Sequence, residues 1–466
     1  MGPEVFRATD PGSGPEPGAG EPSTPGSGER SALEHPATGP GGNPRTLNGH
    51  QTAVGSRQTF NDLLWGWVTA GAAMLGRWPW WLRITLIYAV ARFISFCIFV
   101  AVARQQGTNP WGAAHPDYLH FIGIWDSDWY KGIFSNGYPQ TLPRNAGGTV
   151  VENNWAFYPL YPFLVRAINA LTGLDWLVLA PAVSLLAGLG AALVIYLLFR
   201  RIASVQAATW GVVYFVTFPV SPVLQVPYAE SLSTLLIAGS LYLLLRRRYL
   251  WAAPVVVLMC MARPVGVPFA AVVAAHLLLR WWRGSRGALE RREPFGQREL
   301  AAGIVLLLVS TAAAFAWPVI AWLATGNRNA YTDSEMAWRG GPLALFRPWF
   351  DTGNFLFGPF WGTVAPIALV LLFALYLNTK AVRALGADLR VWCAVYSAYL
   401  LAVLAPQTST FRMLLPLFPL ALATALLSRS RAYRGAVVVL FVLLQIVWVT
   451  WLWAWAQLPG GGDYPP

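Results

Sequence analysis

The sequence predicts an all-α, polytopic integral membrane protein with about eleven transmembrane helices, and three observations predict this fold class. Of the 466 residues, 56% are hydrophobic and only 12% are charged, about half the charged fraction of a soluble domain. The apolar residues form long runs separated by short basic clusters, as expected of helices that must satisfy their backbone hydrogen bonds within a bilayer. The 24 tryptophans are typical of helix ends at membrane interfaces.

The net charge of +12 does not indicate a nucleic-acid-binding protein. Most of the basic residues lie between apolar runs, where lysine and arginine mark cytoplasmic loops. The three cysteines lie inside or at the edges of apolar runs, so the sequence offers no disulfide framework. His115 and His120 share a loop without a third clustered ligand, and we therefore expect neither a metal site nor a cofactor.

Three regions are predicted along the chain. Residues 1–60 are rich in Pro, Gly and Ser and contain too few apolar side chains to offset the entropy of ordering, which predicts a disordered cytoplasmic tail. Residues 61–456 form the multi-span membrane domain, and 457–466 form a short outer tail. The excess of Arg and Lys in alternate loops predicts a cytoplasmic N-terminus and an outer C-terminus. The first span is 79–103, and further spans begin near residues 176, 204, 229, 249, 264, 300, 359, 390, 411 and 433.

Two long loops, 105–175 and 326–358, are predicted on the outer side. Within the first, the stretch 157–171 is expected to lie along the membrane surface. The segment 249–280 is too long for one span and is predicted to be a hairpin with Arg263 near its tip. An arginine buried there needs an anionic partner.

The residues best suited to chemistry follow the first span, where Asp126 and Asp128 are flanked by Trp125, Trp129 and Tyr130. A carboxylate can accept the proton of an attacking hydroxyl group, and aromatic faces suit a sugar or an isoprenoid chain. In the alternative interpretation the two aspartates cap a short interfacial helix, and the tryptophans anchor it at the lipid headgroups.

Five segments resemble, in the same order, the signature of the PIG-V-like mannosyltransferases, which are similar to the enzyme that adds the second mannose to glycosylphosphatidylinositol anchors. They are WDSDWY at 125–130 with GY at 137–138, FYPLYP at 157–162, PVSP at 219–222 with PYAES at 227–231, ARPVG at 262–266, and FRMLLPLFP at 411–419. Ile124, Ala262 and Val265 depart from that signature, and these departures bear on the identity of the acceptor. The Ala- and Arg-rich, Lys-poor composition favours a bacterial, actinobacterial-type relative in a plasma membrane.

The resemblance implies a helical bundle of the GT-C type with its active site on the outer face. It implies transfer of a mannosyl residue, with inversion, from a polyprenyl-phosphate donor to a glycolipid, glycan or protein. Asp126 is then the expected general base and Asp128 the second catalytic candidate. Tyr158 and Tyr228, which belong to the matching segments, are further candidates for substrate binding.

Arg263, Arg412 and Lys131 are candidates for binding the donor phosphate, since arginine can bind phosphate through two nitrogens. Their alternative role is contact with membrane lipid headgroups. Glu230 is a candidate substrate ligand, although a cap at the positive end of its helix is the favoured interpretation.

Four residues of the second long loop could line an acceptor groove, although we favour a solvated loop there. They are Asp333, Glu335, Trp338 and Arg339.

A transporter or flippase of a lipid-linked sugar is the alternative function class. It would share the spans, the arginines and the aromatic loops. The two halves of the chain show no inverted repeat, and the outer loops are longer than alternating access needs. A membrane scaffold without a ligand is a third possibility, but it leaves the two clustered aspartates without a role.

Overall fold

The computed structural model describes residues 78–286, 295–458 and 466. The predicted disordered tail at 1–60 lies outside the described residues, as does most of the predicted outer tail. The described part of the chain is helical and contains no β-strand, which confirms the all-α prediction.

The helices of the described residues are labelled here in chain order. They are α1 (Trp80–Ala103), α2 (Tyr118–Ile122), α3 (Asp126–Asn136), α4 (Leu160–Thr172), α5 (Trp176–Arg200), α6 (Val205–Thr217), α7 (Glu230–Leu245), α8 (Tyr249–Ala262), α9 (Gly266–Arg286), α10 (Gln297–Thr325), α11 (Ala330–Arg339), α12 (Arg347–Leu377), α13 (Lys380–Arg383), α14 (Gly386–Val403), α15 (Pro419–Leu427) and α16 (Arg431–Val447). Three 3₁₀-helices (Asn154–Ala156, Ser221–Gln225 and Thr408–Leu417) and one π-helical segment (Trp448–Trp453) join them.

Several of these helices can cross a membrane. Five helices are long and apolar enough to do so: α1, α5, α10, α12, and α16 with its π-helical extension. The bent pair of Thr408–Leu417 and α15 makes a sixth if it is counted as one span. All eleven predicted apolar segments are helical, so the chain is a multi-pass membrane protein. Helices α6, α7 and α8 have 13, 16 and 14 residues, fewer than the roughly 20 of an ordinary span. The count of eleven spans and the orientation of the termini stay predictions.

The second predicted outer loop is largely helical, whereas the sequence favours an irregular solvated loop. It contains α11 and the first part of α12, which bends at Gly358, where φ is 76°. Helix α11 packs against the 3₁₀-helix Asn154–Ala156 of the first loop, and Trp155 and Ala330 share one buried aromatic cluster. The two outer loops therefore build one structure.

The predicted hairpin at 249–280 is present as α8 and α9, separated at residues 263–265. Its geometry depends on Gly266, the first residue of α9. A Cβ atom at this position would lie 2.7 Å from the Cα atom of Ala314 in α10. This close approach fixes the turn that carries Arg263.

A buried arginine in α1 organises the segment that leads into α7. The Arg92 side chain is 5% exposed and donates hydrogen bonds to the carbonyl oxygens of Val216 (2.7 Å) and Ser221 and to the Ser221 hydroxyl (3.0 Å). Gln445 of α16 donates to the carbonyl oxygen of Thr217 (2.7 Å). These contacts satisfy carbonyl groups that the end of α6 would leave unpaired.

We expect Arg92→Ala to destabilise the protein by about 3 kcal/mol, because several buried acceptors lose a charged donor at once. The measurement is thermal unfolding of the detergent-solubilised protein. Arg104→Ala, an exposed arginine at the end of the same helix, is the control. Equal melting temperatures for the two variants would contradict the assigned role of Arg92.

Candidate active site

A cavity of about 440 Å³ lies where helices from distant parts of the chain meet. Its walls come from α3, the residues before α4, the first turn of α7, the α8–α9 turn, α11, the end of α14 and the 3₁₀-helix Thr408–Leu417. One wall is ionic and another is apolar.

The ionic wall is a cluster of two carboxylates and two guanidinium groups. One nitrogen of Arg412, Nη1, lies 2.5 Å from Oδ2 of Asp126 and 3.2 Å from Oε1 of Glu230. The same Glu230 oxygen also accepts a hydrogen bond from Arg263. Asp126, Glu230 and Arg412 are 8%, 6% and 6% exposed. Because two positive charges balance two negative ones, the cluster can be buried without a net charge.

Backbone strain at Trp125 marks the start of α3. Its φ and ψ are 63° and −131°, a conformation that costs a non-glycine residue about 1–3 kcal/mol. Contacts around the indole ring offset this cost: Nε1 donates to the carbonyl oxygen of Trp453 (2.7 Å), and the ring centroid lies 5.0 Å from that of Trp111. The strained residue directly precedes Asp126, which becomes the first residue of the helix.

Tyr228 supports the ionic cluster from behind. Its ring centroid lies 5.0 Å from the guanidinium carbon of Arg412, a favourable arrangement for a cation–π interaction. Its hydroxyl oxygen accepts a hydrogen bond from the backbone N–H of Asp126 (3.0 Å). Tyr228 thus contacts both partners of the Asp126–Arg412 ion pair.

Two polar atoms of the cluster have no hydrogen-bond partner among the described residues. They are Nε of Arg412, a donor, and Oε2 of Glu230, an acceptor, and both are buried. Each unsatisfied buried group costs about 1–3 kcal/mol. Both residues line the cavity, so these two atoms are the unpaired donor and acceptor of its ionic wall.

Six of the predicted site residues line the cavity: Asp126, Tyr130, Tyr158, Glu230, Arg263 and Arg412. Asp128 and Lys131 are exposed and lie outside the cavity lining. Tyr228 packs against the ionic cluster. Trp125 contacts Trp453 and Trp111, and Trp129 stacks on Phe157.

The structure corrects two alternative interpretations. The carboxylates of Asp126 and Glu230 are paired with arginines and do not cap their helices. Glu230 does lie at the positive end of α7, as its first residue, but its side chain makes no capping hydrogen bond. The guanidinium groups of Arg263 and Arg412 contact carboxylates inside the protein, so they are not lipid-headgroup anchors.

Helix α11 forms another wall of the cavity. Glu335, Trp338 and Arg339 line the main cavity, whereas Asp333 lines a second cavity of about 680 Å³ on the other face of the helix. Three tyrosines complete the lining, and the sequence analysis missed them because no local motif distinguishes them: Tyr331, Tyr396 and Tyr399.

Burial raises the pKa of the Glu335 carboxyl group above its usual value, and Arg339, whose nearest nitrogen lies 3.8 Å away, partly opposes this shift. A carboxyl group with a raised pKa is easily protonated and can then donate a hydrogen bond.

No group of three or more His, Cys, Asp or Glu side chains that could hold a metal ion occurs within 78–286 and 295–458.

No protein-family model and no curated protein sequence matches the chain. Among solved structures, ArnT from Cupriavidus metallidurans bound to undecaprenyl phosphate is similar, with 16% identity, 76% of this chain and 61% of that chain covered, and a TM-score of 0.43. The Archaeoglobus fulgidus oligosaccharyltransferase in complex with Zn and sulfate shows 13% identity over 78% of this chain and 53% of that chain, with a TM-score of 0.42. The chain thus spans 53–61% of the length of these two proteins.

We expect Glu335→Gln to change how stability depends on pH. A carboxyl group whose pKa is raised in the folded state binds protons more tightly there than in the unfolded state, so folding stability falls as pH rises through the carboxyl range. Glutamine has no ionisable carboxyl group, so the variant does not lose this stability as pH rises. The melting temperature of the variant minus that of the wild type should therefore be more positive at pH 7 than at pH 4.

Thermal unfolding in detergent at the two pH values measures this difference. Met336→Leu lies on the same helix and adds no titratable group, so it serves as the control. A difference for Glu335→Gln that is the same at both pH values would show that burial does not penalise the Glu335 carboxylate.

Proposed function

We propose that the protein is a GT-C-type glycosyltransferase. It transfers a hexosyl residue, with inversion, from a polyprenyl-phosphate donor to a hydroxyl group at the outer membrane face. The observation that carries the proposal is the buried Asp126–Arg412–Glu230–Arg263 cluster in the wall of the cavity. The resemblance to the PIG-V-like mannosyltransferases specifies the hexosyl residue as mannosyl.

The donor phosphate would bind the arginines. The unpaired Nε of Arg412 is a buried donor, and the guanidinium of Arg263 lines the same cavity. Charge-assisted hydrogen bonds to phosphate are shorter and stronger than neutral ones. They would stabilise the negative charge that develops on the leaving phosphate.

Asp126 would act as the general base. It accepts the proton of the acceptor hydroxyl while that oxygen bonds to the anomeric carbon. The bond from the anomeric carbon to the phosphate oxygen breaks, and its electron pair leaves with the polyprenyl phosphate. Because the acceptor attacks from the side opposite the phosphate, the anomeric configuration inverts.

The apolar wall suits the polyprenyl chain. Leu400, Val403 and Leu404 at the end of α14 line the cavity with Leu343 and Met413. Apolar side chains that continue from an ionic cluster match a lipid phosphate, which joins a charged group to a hydrocarbon chain. Membrane lipids surround the exposed apolar side chains of the spans.

The acceptor, a glycolipid, glycan or protein, would approach along α11. The exposed carboxylate Asp128 would orient it from outside the cavity, and Lys131 and Trp129 would contact it at the rim. A bacterial plasma membrane is the proposed location, on the composition of the chain.

A flippase for a lipid-linked sugar is the second candidate, and it could use the same arginines and apolar wall. It would not need a carboxylate beside the phosphate site. The resemblance to the PIG-V-like mannosyltransferases and the lack of an inverted repeat between the two halves of the chain favour the transferase.

Asp126→Asn is expected to lower sugar transfer by at least about 100-fold, because loss of a general base removes about 10²–10⁴ of the rate. The assay follows radiolabelled mannose from polyprenyl-phosphate mannose into lipid, glycan and protein fractions, in membranes that express wild type or variant. Asp117→Asn, an exposed aspartate of the same outer loop, is the matched control.

Wild-type activity in Asp126→Asn would exclude Asp126 as the base. If only Asp128→Asn lost activity, Asp128 would be the base instead. If neither wild type nor variants transfer label but the wild type moves the lipid across the bilayer, the flippase is correct.

We further expect Arg412→Lys to slow transfer by roughly 10- to 100-fold, since lysine keeps the charge between the carboxylates but lacks the Nε donor and the planar fork. The same assay gives the rate, and thermal unfolding reports whether the cluster is intact. A folded variant with wild-type kcat and KM would exclude Arg412 from phosphate binding.

A further inference from the structure

Glu230 has an oxygen that its ion pairs do not use. Oε1 accepts hydrogen bonds from both Arg263 and Arg412. Oε2 is buried and has no hydrogen-bond partner within the described parts of the chain. Glu230 lines the cavity. A carboxylate oxygen can only accept hydrogen bonds when ionised, so a ligand that satisfies it must supply an N–H or O–H group.

Two hydroxyl groups on the first turn of α7 have other partners. Ser231 donates to the carbonyl oxygen of Leu224 (3.1 Å), and Thr234 donates to the backbone carbonyl of Glu230 itself (2.7 Å). Neither of these hydroxyl groups donates to Oε2 of Glu230, and Ser233, the remaining hydroxyl residue of this turn, lines the cavity itself.

We propose that Oε2 of Glu230 accepts a hydrogen bond from the hydroxyl on C2 of the donor sugar, next to the anomeric carbon. Glu230 is then a specificity-determining residue for the donor. This inference rests on the proposed function, because it takes the ligand to be a sugar linked to a lipid phosphate.

The placement of the two carboxylates supports this assignment. A single nitrogen of Arg412 contacts both Asp126 and Glu230, so the two carboxylates lie side by side. If Asp126 receives the proton of the oxygen that attacks C1, Glu230 faces the neighbouring carbon of the ring. The phosphate on C1 meets Nε of Arg412, the unpaired donor of the same cluster.

The chemistry of glycosyl transfer gives this contact a purpose. Positive charge develops on the ring at the anomeric centre in the transition state, and hydrogen bonds to the C2 hydroxyl strengthen there. An ionised carboxylate is the acceptor best suited to this task. The contact should therefore raise kcat more than it lowers KM.

The test compares wild type and Glu230→Gln with polyprenyl-phosphate mannose and its 2-deoxy analogue as donors. With wild type, we expect the 2-deoxy donor to react about 10- to 100-fold more slowly, the size of a lost hydrogen bond to a charged group. A 2-deoxy sugar is intrinsically the more reactive donor, so slower transfer reports a lost contact. With Glu230→Gln, transfer of the natural donor falls, and removal of the C2 hydroxyl causes little further loss.

A 6-deoxy donor is the control, because its missing hydroxyl is remote from C1 and should change both enzymes by the same factor. An equal 2-deoxy penalty in wild type and variant overturns the proposal. If Glu230→Gln does not fold, the wild type alone is assayed with both analogues. The proposal is overturned if the wild-type transfer rate with the 2-deoxy donor is reduced no more than with the 6-deoxy donor. Absence of transfer from every donor by folded wild type would instead refute the proposed function, and the inference with it.

Discussion

The ion pairs that the guanidinium of Arg412 makes with Asp126 and Glu230 are the interactions on which the ionic wall of the cavity depends. These three residues come from α3, α7 and the 3₁₀-helix Thr408–Leu417, which are far apart in the chain. None of these charges could be buried alone, since an unpaired buried ion costs several kcal/mol. The cluster therefore forms only when all three elements meet, and Arg263 brings the net charge to zero.

The rest of the fold holds these elements at the required distance. Trp125 is kept in a strained conformation by its contacts with Trp453 and Trp111, and Arg92 ties the segment before α7 to the first membrane helix. Such strain and such buried polar groups lower stability unless surrounding packing offsets them. They lie where Asp126 and Glu230 must be positioned, as expected where stability and function compete.

The cavity combines charged, apolar and hydrogen-bonding side chains. Its ionic wall carries Arg263 and Arg412, the end of α14 supplies apolar side chains, and α11 contributes Glu335 and Trp338. The proposed ligand, a lipid-linked sugar phosphate, likewise joins a charge, a hydrocarbon and hydrogen-bonding groups.

The sequence by itself determined the helices, because an apolar run long enough to cross a bilayer must satisfy its own backbone hydrogen bonds. Ordered motifs also pointed to Asp126, Arg263 and Arg412. Only the tertiary structure showed that the carboxylate of Glu230, at the start of α7, binds two arginines. It also separated Asp126, which is buried against the distant Arg412, from Asp128, which is exposed. The pairing of charges depends on long-range contacts that local sequence patterns do not contain.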